Sequence, residues 1–119
     1  MNKEEQLQLL KLNGKLIEAA AKGDLPLVQL LISQGADIYA KDDAVLKWAS
    51  RRMNIKIVQY LFFDCQMEVK KKTKDWLKIY NQEETLKLIE KRDDIIKNYN
   101  DLKRLKNNSL DNIIKKVKI

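Results

Sequence analysis

The chain has 119 residues, of which 45% are hydrophobic and 34% are charged, and its formal net charge at pH 7 is +7. This length suits one small domain, or a compact core with an additional terminal segment. Three Gly and one Pro are too few turn formers for an all-β protein, so the composition predicts an all-α fold. No run of about 18 apolar residues is present, which excludes a transmembrane helix.

The termini and the cysteine content indicate where the protein acts. The first five residues lead straight into a charged helical pattern and lack the apolar run of a signal peptide. A single Cys65 cannot form an internal disulfide, which favours a reducing compartment. We therefore expect a cytoplasmic protein, with the nucleus left open. One Cys and no His leave only carboxylates as charged metal ligands, so no metal or other cofactor is predicted.

The sequence of the N-terminal part predicts a short helix followed by a helix–turn–helix unit. Leucines at helical spacing predict a capping helix over residues 4–12. Residues 13–42 then hold two helical faces separated by Gly23-Asp24, where Asp24 suits a helix N-cap. Pro26 falls early in the second helix, where its missing N–H costs nothing, and Gly35 follows that helix.

An internal repeat extends this pattern to residues 43–73. Residues 30 positions apart match in type, and the matching pairs are Leu16 with Leu46, Ala19 with Ala49, Val28 with Val58, Gln29 with Gln59, and Leu31 with Leu61. A single helix–turn–helix unit is too thin to bury its own apolar faces, so the two units are expected to stack on each other.

The first repeat resembles an ankyrin repeat. Residues 16–38 carry an Ala-Ala pair, a Gly-Asp turn, a Val-x-x-Leu-Leu helix and a Gly-Ala-Asp-Ile exit in that order, and residues 46–67 form a weaker copy. The period of 30 is shorter than the usual one of about 33. The signature Thr-Pro-Leu-His is reduced to Ala44-Val45-Leu46-Lys47. This short variant resembles repeats of large-DNA-virus arrays. The resemblance implies a helical solenoid with two clear repeats, a degenerate third and capping helices at both ends.

The C-terminal part departs from the repeat pattern. Residues 74–92 predict the degenerate third repeat, with Trp76 in the core, and residues 93–119 predict a basic helical segment. Residues 91–119 hold nine Lys/Arg against four Asp, so most of the net charge lies there. We expect two amphipathic helices, broken near Asn107-Asn108-Ser109. They could cover the end of the stack, lack order, or pair with a second copy of the chain.

The resemblance also implies a binding surface for another protein. Residues that follow the Ala-Ala pair face the concave side of ankyrin proteins, which makes Lys22, Arg51 and Arg52 candidate contacts. The finger between the repeats adds Tyr39, Lys41 and Asp43. Trp48 is either a core residue or an exposed partner anchor. An ordinary solvated charged face is the competing interpretation.

The lysine run Lys70, Lys71, Lys72 and Lys74 could contact phosphate or nucleic acid, or could be a solvated finger loop. Lysines without interleaved aromatic residues or Arg are a poor base-reading surface, so nucleic acid is disfavoured as the partner. No His, Gly-rich phosphate loop or nucleophile elbow supports catalysis. The sequence predicts a non-enzymatic protein–protein interaction module. The alternatives are a small viral or effector-type inhibitor of a host protein and a basic protein associated with nucleic acid.

Overall fold

The computed structural model describes the backbone of residues 1–117 and the side chains of residues 1–105. Regular structure in this part of the chain is entirely helical. The helices are α1 (Lys3–Lys22), α2 (Leu25–Ser33), α3 (Ala40–Arg51), α4 (Ile55–Gln59), α5 (Lys71–Ile79) and α6 (Glu83–Val117), and a π-helical turn (Tyr60–Asp64) continues α4. The all-α prediction is confirmed. The chain divides into two compact units, Met1–Leu88 and a second unit that begins at Ile89.

The first unit contains three helix–turn–helix pairs with the same turn. Gly23, Met53 and Asn81 end the first helix of each pair and adopt left-handed φ values of 78°, 56° and 54°. The backbone N–H of each donates to the carbonyl three residues earlier, and the next N–H donates to the carbonyl five residues before it. Helices commonly end in this way, because a left-handed residue lets the last carbonyls find partners. The shared turn identifies three copies of one supersecondary unit.

Stacking of these pairs buries the residues that the repeat brings into register. Leu16, Leu46, Val28 and Val58 are all 0% exposed. Ala19 and Ala49 are also buried, and α1 packs against α3 as well as against α2. The offset of 30 residues therefore corresponds to equivalent positions in two stacked repeats. In the third pair Leu77 holds the turn position of Ala49, so the offset there is 28.

Two helices are longer than the sequence indicated. The capping helix expected over residues 4–12 is the first part of α1, which Asn2 caps by accepting a 2.8 Å hydrogen bond from the Glu5 N–H. Gly14 lies inside α1 without a left-handed φ, so it does not end the helix. The break expected near residues 107–109 is wrong, because α6 runs through it. Asn and Ser lower helix propensity by only about 0.5 kcal/mol each, far less than Pro.

The prediction that Trp76 lies in the core is also wrong. Its indole is half-buried and packs against Tyr80 with ring centroids 4.5 Å apart. The buried residues of α5 are Thr73 and Leu77, four residues apart on one helical face. Trp76 lies beside that face, so it meets solvent on one side.

The left-handed turns predict a stability difference between two glycine substitutions. Met53→Gly removes a Cβ from a left-handed residue that is 69% exposed, and we expect the free energy of unfolding to rise by about 1 kcal/mol. Asn81→Gly should give a smaller gain, because Asn tolerates the left-handed region better than Met does. Urea unfolding of both variants measures the difference. Loss of stability in Met53→Gly would contradict the assigned turn.

Candidate protein-binding surface

An exposed tryptophan marks the middle of α3. Trp48 is 37% exposed, and the guanidinium carbons of Arg51 and Arg52 lie 5.6 and 5.7 Å from the centroid of its ring. Residues three and four positions apart are neighbours on a helix surface, so α3 itself brings both cations over the indole. Such cation–π contacts hold the guanidinium groups in place.

The same surface continues onto α5. The ammonium nitrogen of Lys47 lies 5.2 Å from the centroid of the Trp76 ring, and Trp76 in turn packs against Tyr80. These contacts connect the first helices of the second and third repeats. We name this set the aromatic–cation patch, and it consists of Lys47, Trp48, Arg51, Arg52, Trp76 and Tyr80.

The two arginines of the patch carry positive charge that the described part of the chain does not pair. Within residues 1–105, no carboxylate oxygen lies within 4.0 Å of the guanidinium group of Arg51 or Arg52. Lys47, by contrast, lies 3.5 Å from Asp42 Oδ2. The patch therefore presents two guanidinium groups whose hydrogen-bond donors remain available to a ligand.

Lys22, a predicted contact on α1, has a partner within its own helix. Its ammonium group donates a 2.7 Å hydrogen bond to Glu18 Oε1. That hydrogen bond, with the attraction between the two charges, lowers the pKa of Glu18 and raises the pKa of Lys22. Both side chains are exposed, so the pair gives the first repeat a locally neutral surface.

The finger residues have three different environments. Lys41 is exposed, whereas Tyr39 is 40% exposed and its hydroxyl accepts a 3.0 Å hydrogen bond from the Glu68 N–H. Asp43 is buried, and its Oδ2 accepts a 2.6 Å hydrogen bond from Thr73 Oγ1. The prediction that Asp43 contacts a partner is wrong. Three consecutive left-handed residues, 41–43, turn the chain so that this carboxylate enters the interior.

The lysine run forms the start of a helix and not a finger loop. Lys70 is the N-cap residue of α5, and Lys71, Lys72 and Lys74 belong to its first turns. Lys74 is half-buried, and the other three are exposed. Lys72 Nζ lies 3.2 Å from Asp42 Oδ2, which Lys47 also approaches. The hydrogen bond from Lys72, together with the charges of both lysines, lowers the pKa of Asp42.

The titratable and metal-binding side chains of the described residues form no catalytic or metal site. Within residues 1–105 no cluster of His, Cys, Asp or Glu could hold a metal ion. Cys65 is half-buried, and burial raises the pKa of its thiol, which lowers the thiolate fraction at neutral pH. No described helix is both long enough and apolar enough to cross a membrane.

Part of the patch could have been found in the sequence. The spacing of Trp48, Arg51 and Arg52 places them together on any helix. The contact of Lys47 with Trp76 could not be found, because the third repeat is offset by 28 residues and a search at 30 pairs Lys47 with Leu77 instead. The pairing of Asp42 with two lysines depends on the left-handed finger and left no signal in the sequence.

Comparison with known proteins agrees with this fold. Residues 16–62 match the family model for ankyrin repeats (many copies). Two proteins of Rickettsia felis, both named as ankyrin repeat proteins, are similar to parts of the chain. One is 53% identical over 38 residues, which are 32% of this chain and 60% of the relative. The other is 59% identical over 32 residues, which are 27% of this chain and 48% of the relative.

The chain thus spans roughly half to three fifths of the length of these relatives. No solved structure matches it significantly. Residues 16–62 thus match ankyrin repeats, as the sequence predicted, and the two relatives come from Rickettsia felis and not from a virus.

The buried hydrogen bond of Asp43 gives a prediction about stability. Thr73→Val keeps the shape of the side chain but leaves the carboxylate without its 2.6 Å donor, and we expect a loss of about 1.5–3 kcal/mol in the free energy of unfolding. Thr85→Val is the matched control, because it removes a 2.7 Å bond between two buried neutral hydroxyls, to Ser50. The control should cost about 1 kcal/mol. If urea unfolding shows equal losses for the two variants, the hydrogen bond to Asp43 contributes no more than one between neutral hydroxyls.

Proposed function

We propose that this chain is a non-enzymatic protein-binding module that contacts its partner through the aromatic–cation patch. Ankyrin repeats generally mediate protein–protein interaction, and residues 16–62 match that family. The proposal goes further, because it assigns the contact to particular residues on α3 and α5 and keeps Tyr39, Lys41 and Lys22 as further candidate contacts.

The observation that carries the proposal is the exposed Trp48 with a guanidinium group of Arg51 and one of Arg52 over its ring. Trp, Tyr and Arg are the side chains that most often dominate the energy of protein interfaces. Each can bury a large apolar area while its polar atoms still find partners. Their concentration on one exposed surface favours binding over a purely solvated role.

The way the patch is built also supports binding. Its residues lie on α3 and α5, whose buried faces are packed into the first unit. Within the patch, Lys47 contacts both Asp42 and the Trp76 ring, and Trp76 packs against Tyr80. A surface that is already ordered loses little side-chain entropy when a partner binds, and this raises affinity.

Charge reversal at the patch tests the proposal. The Arg51→Glu/Arg52→Glu double variant replaces two unpaired cations with carboxylates, so we expect its affinity for a partner isolated with the wild-type protein to fall at least about tenfold. Trp48→Ala should also weaken binding, because it removes the central ring. Isothermal titration calorimetry with the purified partner measures both effects.

Charge reversal elsewhere on the same unit is the control. Lys11→Glu/Lys56→Glu changes the net charge equally but alters exposed residues of α1 and α4, outside the patch. This control should bind as the wild type does. The assignment to the patch fails when the control and the Arg51/Arg52 variant lose affinity equally, or when neither variant loses any.

Self-association through the second unit is a second candidate function. Ile95, Tyr99 and Leu102 are exposed on α6, and their spacing of four and three residues places them on one stripe. A stripe of this kind is the usual seam between two helices that pair lengthwise. The apolar stripe supports a homodimer formed by the C-terminal helices.

A polar substitution in this stripe tests the homodimer. Ile95→Glu/Leu102→Glu places charges in the seam, so we expect it to shift the mass in solution from dimer to monomer. Lys97→Glu changes the net charge by the same two units on the opposite side of α6 and should leave the dimer intact. Sedimentation equilibrium measures the mass. A wild-type protein that stays monomeric at high concentration would exclude this function.

A further inference from the structure

We infer that the aromatic–cation patch binds an acidic segment of a partner protein that also carries an apolar side chain. This inference rests on the proposed function and specifies the chemistry of the partner. Two observations carry it: the unpaired guanidinium groups on α3, and the exposed apolar side chains at the equivalent positions of α5.

The charges of α3 select an anionic partner. Arg51 and Arg52 lack a carboxylate neighbour among residues 1–105, and both lie at the exposed end of α3. Guanidinium groups bind carboxylates through paired hydrogen bonds, which are among the strongest polar contacts in proteins. Aspartate or glutamate side chains of the partner would supply the carboxylates that the first unit does not.

The neighbouring surface of α5 is apolar. Asn81 ends α5 as Met53 ends α3, so Ile79 and Tyr80 hold the positions that Arg51 and Arg52 hold one repeat earlier. Ile79 is 72% exposed and Tyr80 is 52% exposed. A segment that crosses from α3 to α5 therefore meets positive charge first and apolar surface second.

The distance between the two helices sets the spacing in the partner. Packed helices lie roughly 8–10 Å apart. An extended chain covers about 3.3–3.6 Å per residue, so about three residues bridge the two helices. The expected recognition pattern is one or two acidic residues and a large apolar residue about three positions away.

The same surface fits single-stranded nucleic acid less well. Base stacking requires a free aromatic face, whereas the Trp48 ring carries two guanidinium groups and the Trp76 ring carries Lys47 and Tyr80. Affinity for a phosphate backbone depends on many available cations. Lys47 of α3 and Lys72 of α5 share the carboxylate of Asp42.

Selection from a random peptide library displayed on phage, with the full-length wild-type protein as bait, tests the inference. Selected peptides should be enriched in Asp and Glu, with Leu, Ile or Phe about three positions away. Their affinity should fall at least about tenfold for Arg51→Glu/Arg52→Glu and less for Ile79→Ser. Circular dichroism checks that each variant keeps its helices.

A charge exchange gives the strictest measurement. Replacing the acidic residues of a selected peptide with Lys should abolish binding to the wild type and restore binding to Arg51→Glu/Arg52→Glu. Peptides that depend on Trp48 but show no acidic enrichment would overturn this inference and leave the proposed function standing. Peptides indifferent to both Trp48→Ala and the charge reversal would overturn the proposed function as well. Displacement of the peptide by fluorescein-labelled oligothymidine would assign the patch to nucleic acid and overturn the inference.

Discussion

The turn at Gly23 is the point at which the first two repeats are locked together. The amide nitrogen of Asn54 donates to the carbonyls of Ala20 and Ala21, at 2.6 and 3.3 Å, near the end of α1, where the last helical carbonyls no longer accept from an N–H four residues ahead. A Cβ at Gly23 would lie 2.9 Å from Asn54 Oδ1 and would displace the Asn54 amide, whereas glycine leaves room for it and adopts the left-handed φ without strain. The bond joins the two repeats in the register in which Leu16 and Leu46 are both buried, and the α3 residues of the aromatic–cation patch belong to the second of these repeats.

The third repeat keeps the geometry of the turn but uses different bonds. Met53 occupies the position of Gly23, and the amide of Gln82, the equivalent of Asn54, donates within its own turn to the Tyr80 carbonyl. The second and third repeats are joined instead by two buried hydrogen bonds, from Thr85 to Ser50 and from Thr73 to Asp43. This exchange explains why the third repeat looks degenerate. Its sequence satisfies the same backbone with another set of side chains, so the ankyrin pattern fades while the fold persists.

The sequence was informative wherever structure depends on local spacing. Burial of Val28 and Val58, the turn at Gly23 and the grouping of Arg51 with Trp48 all follow from periodicity within one or two helices. The prediction from the sequence was wrong where burial depends on contacts between repeats. The burial of Asp43 requires a left-handed finger together with Thr73, thirty residues away, and neither leaves a periodic signal. The helix α6 continues through Asn107-Asn108-Ser109, because these weak helix formers do not end a helix that contains no Gly or Pro.

The packing of the repeats also determines which charged side chains form ion pairs within the chain and which do not. The finger brings Asp42 to two lysines, and Lys22 pairs with Glu18 one helical turn away. Arg51 and Arg52 lie at the other end of α3, where both guanidinium groups contact the Trp48 ring, which offers no carboxylate. An indole face stabilises a cation without using its hydrogen-bond donors. The Trp48 indole therefore stabilises two cations whose N–H groups have no carboxylate partner among residues 1–105, and the proposed binding role of the patch depends on this arrangement.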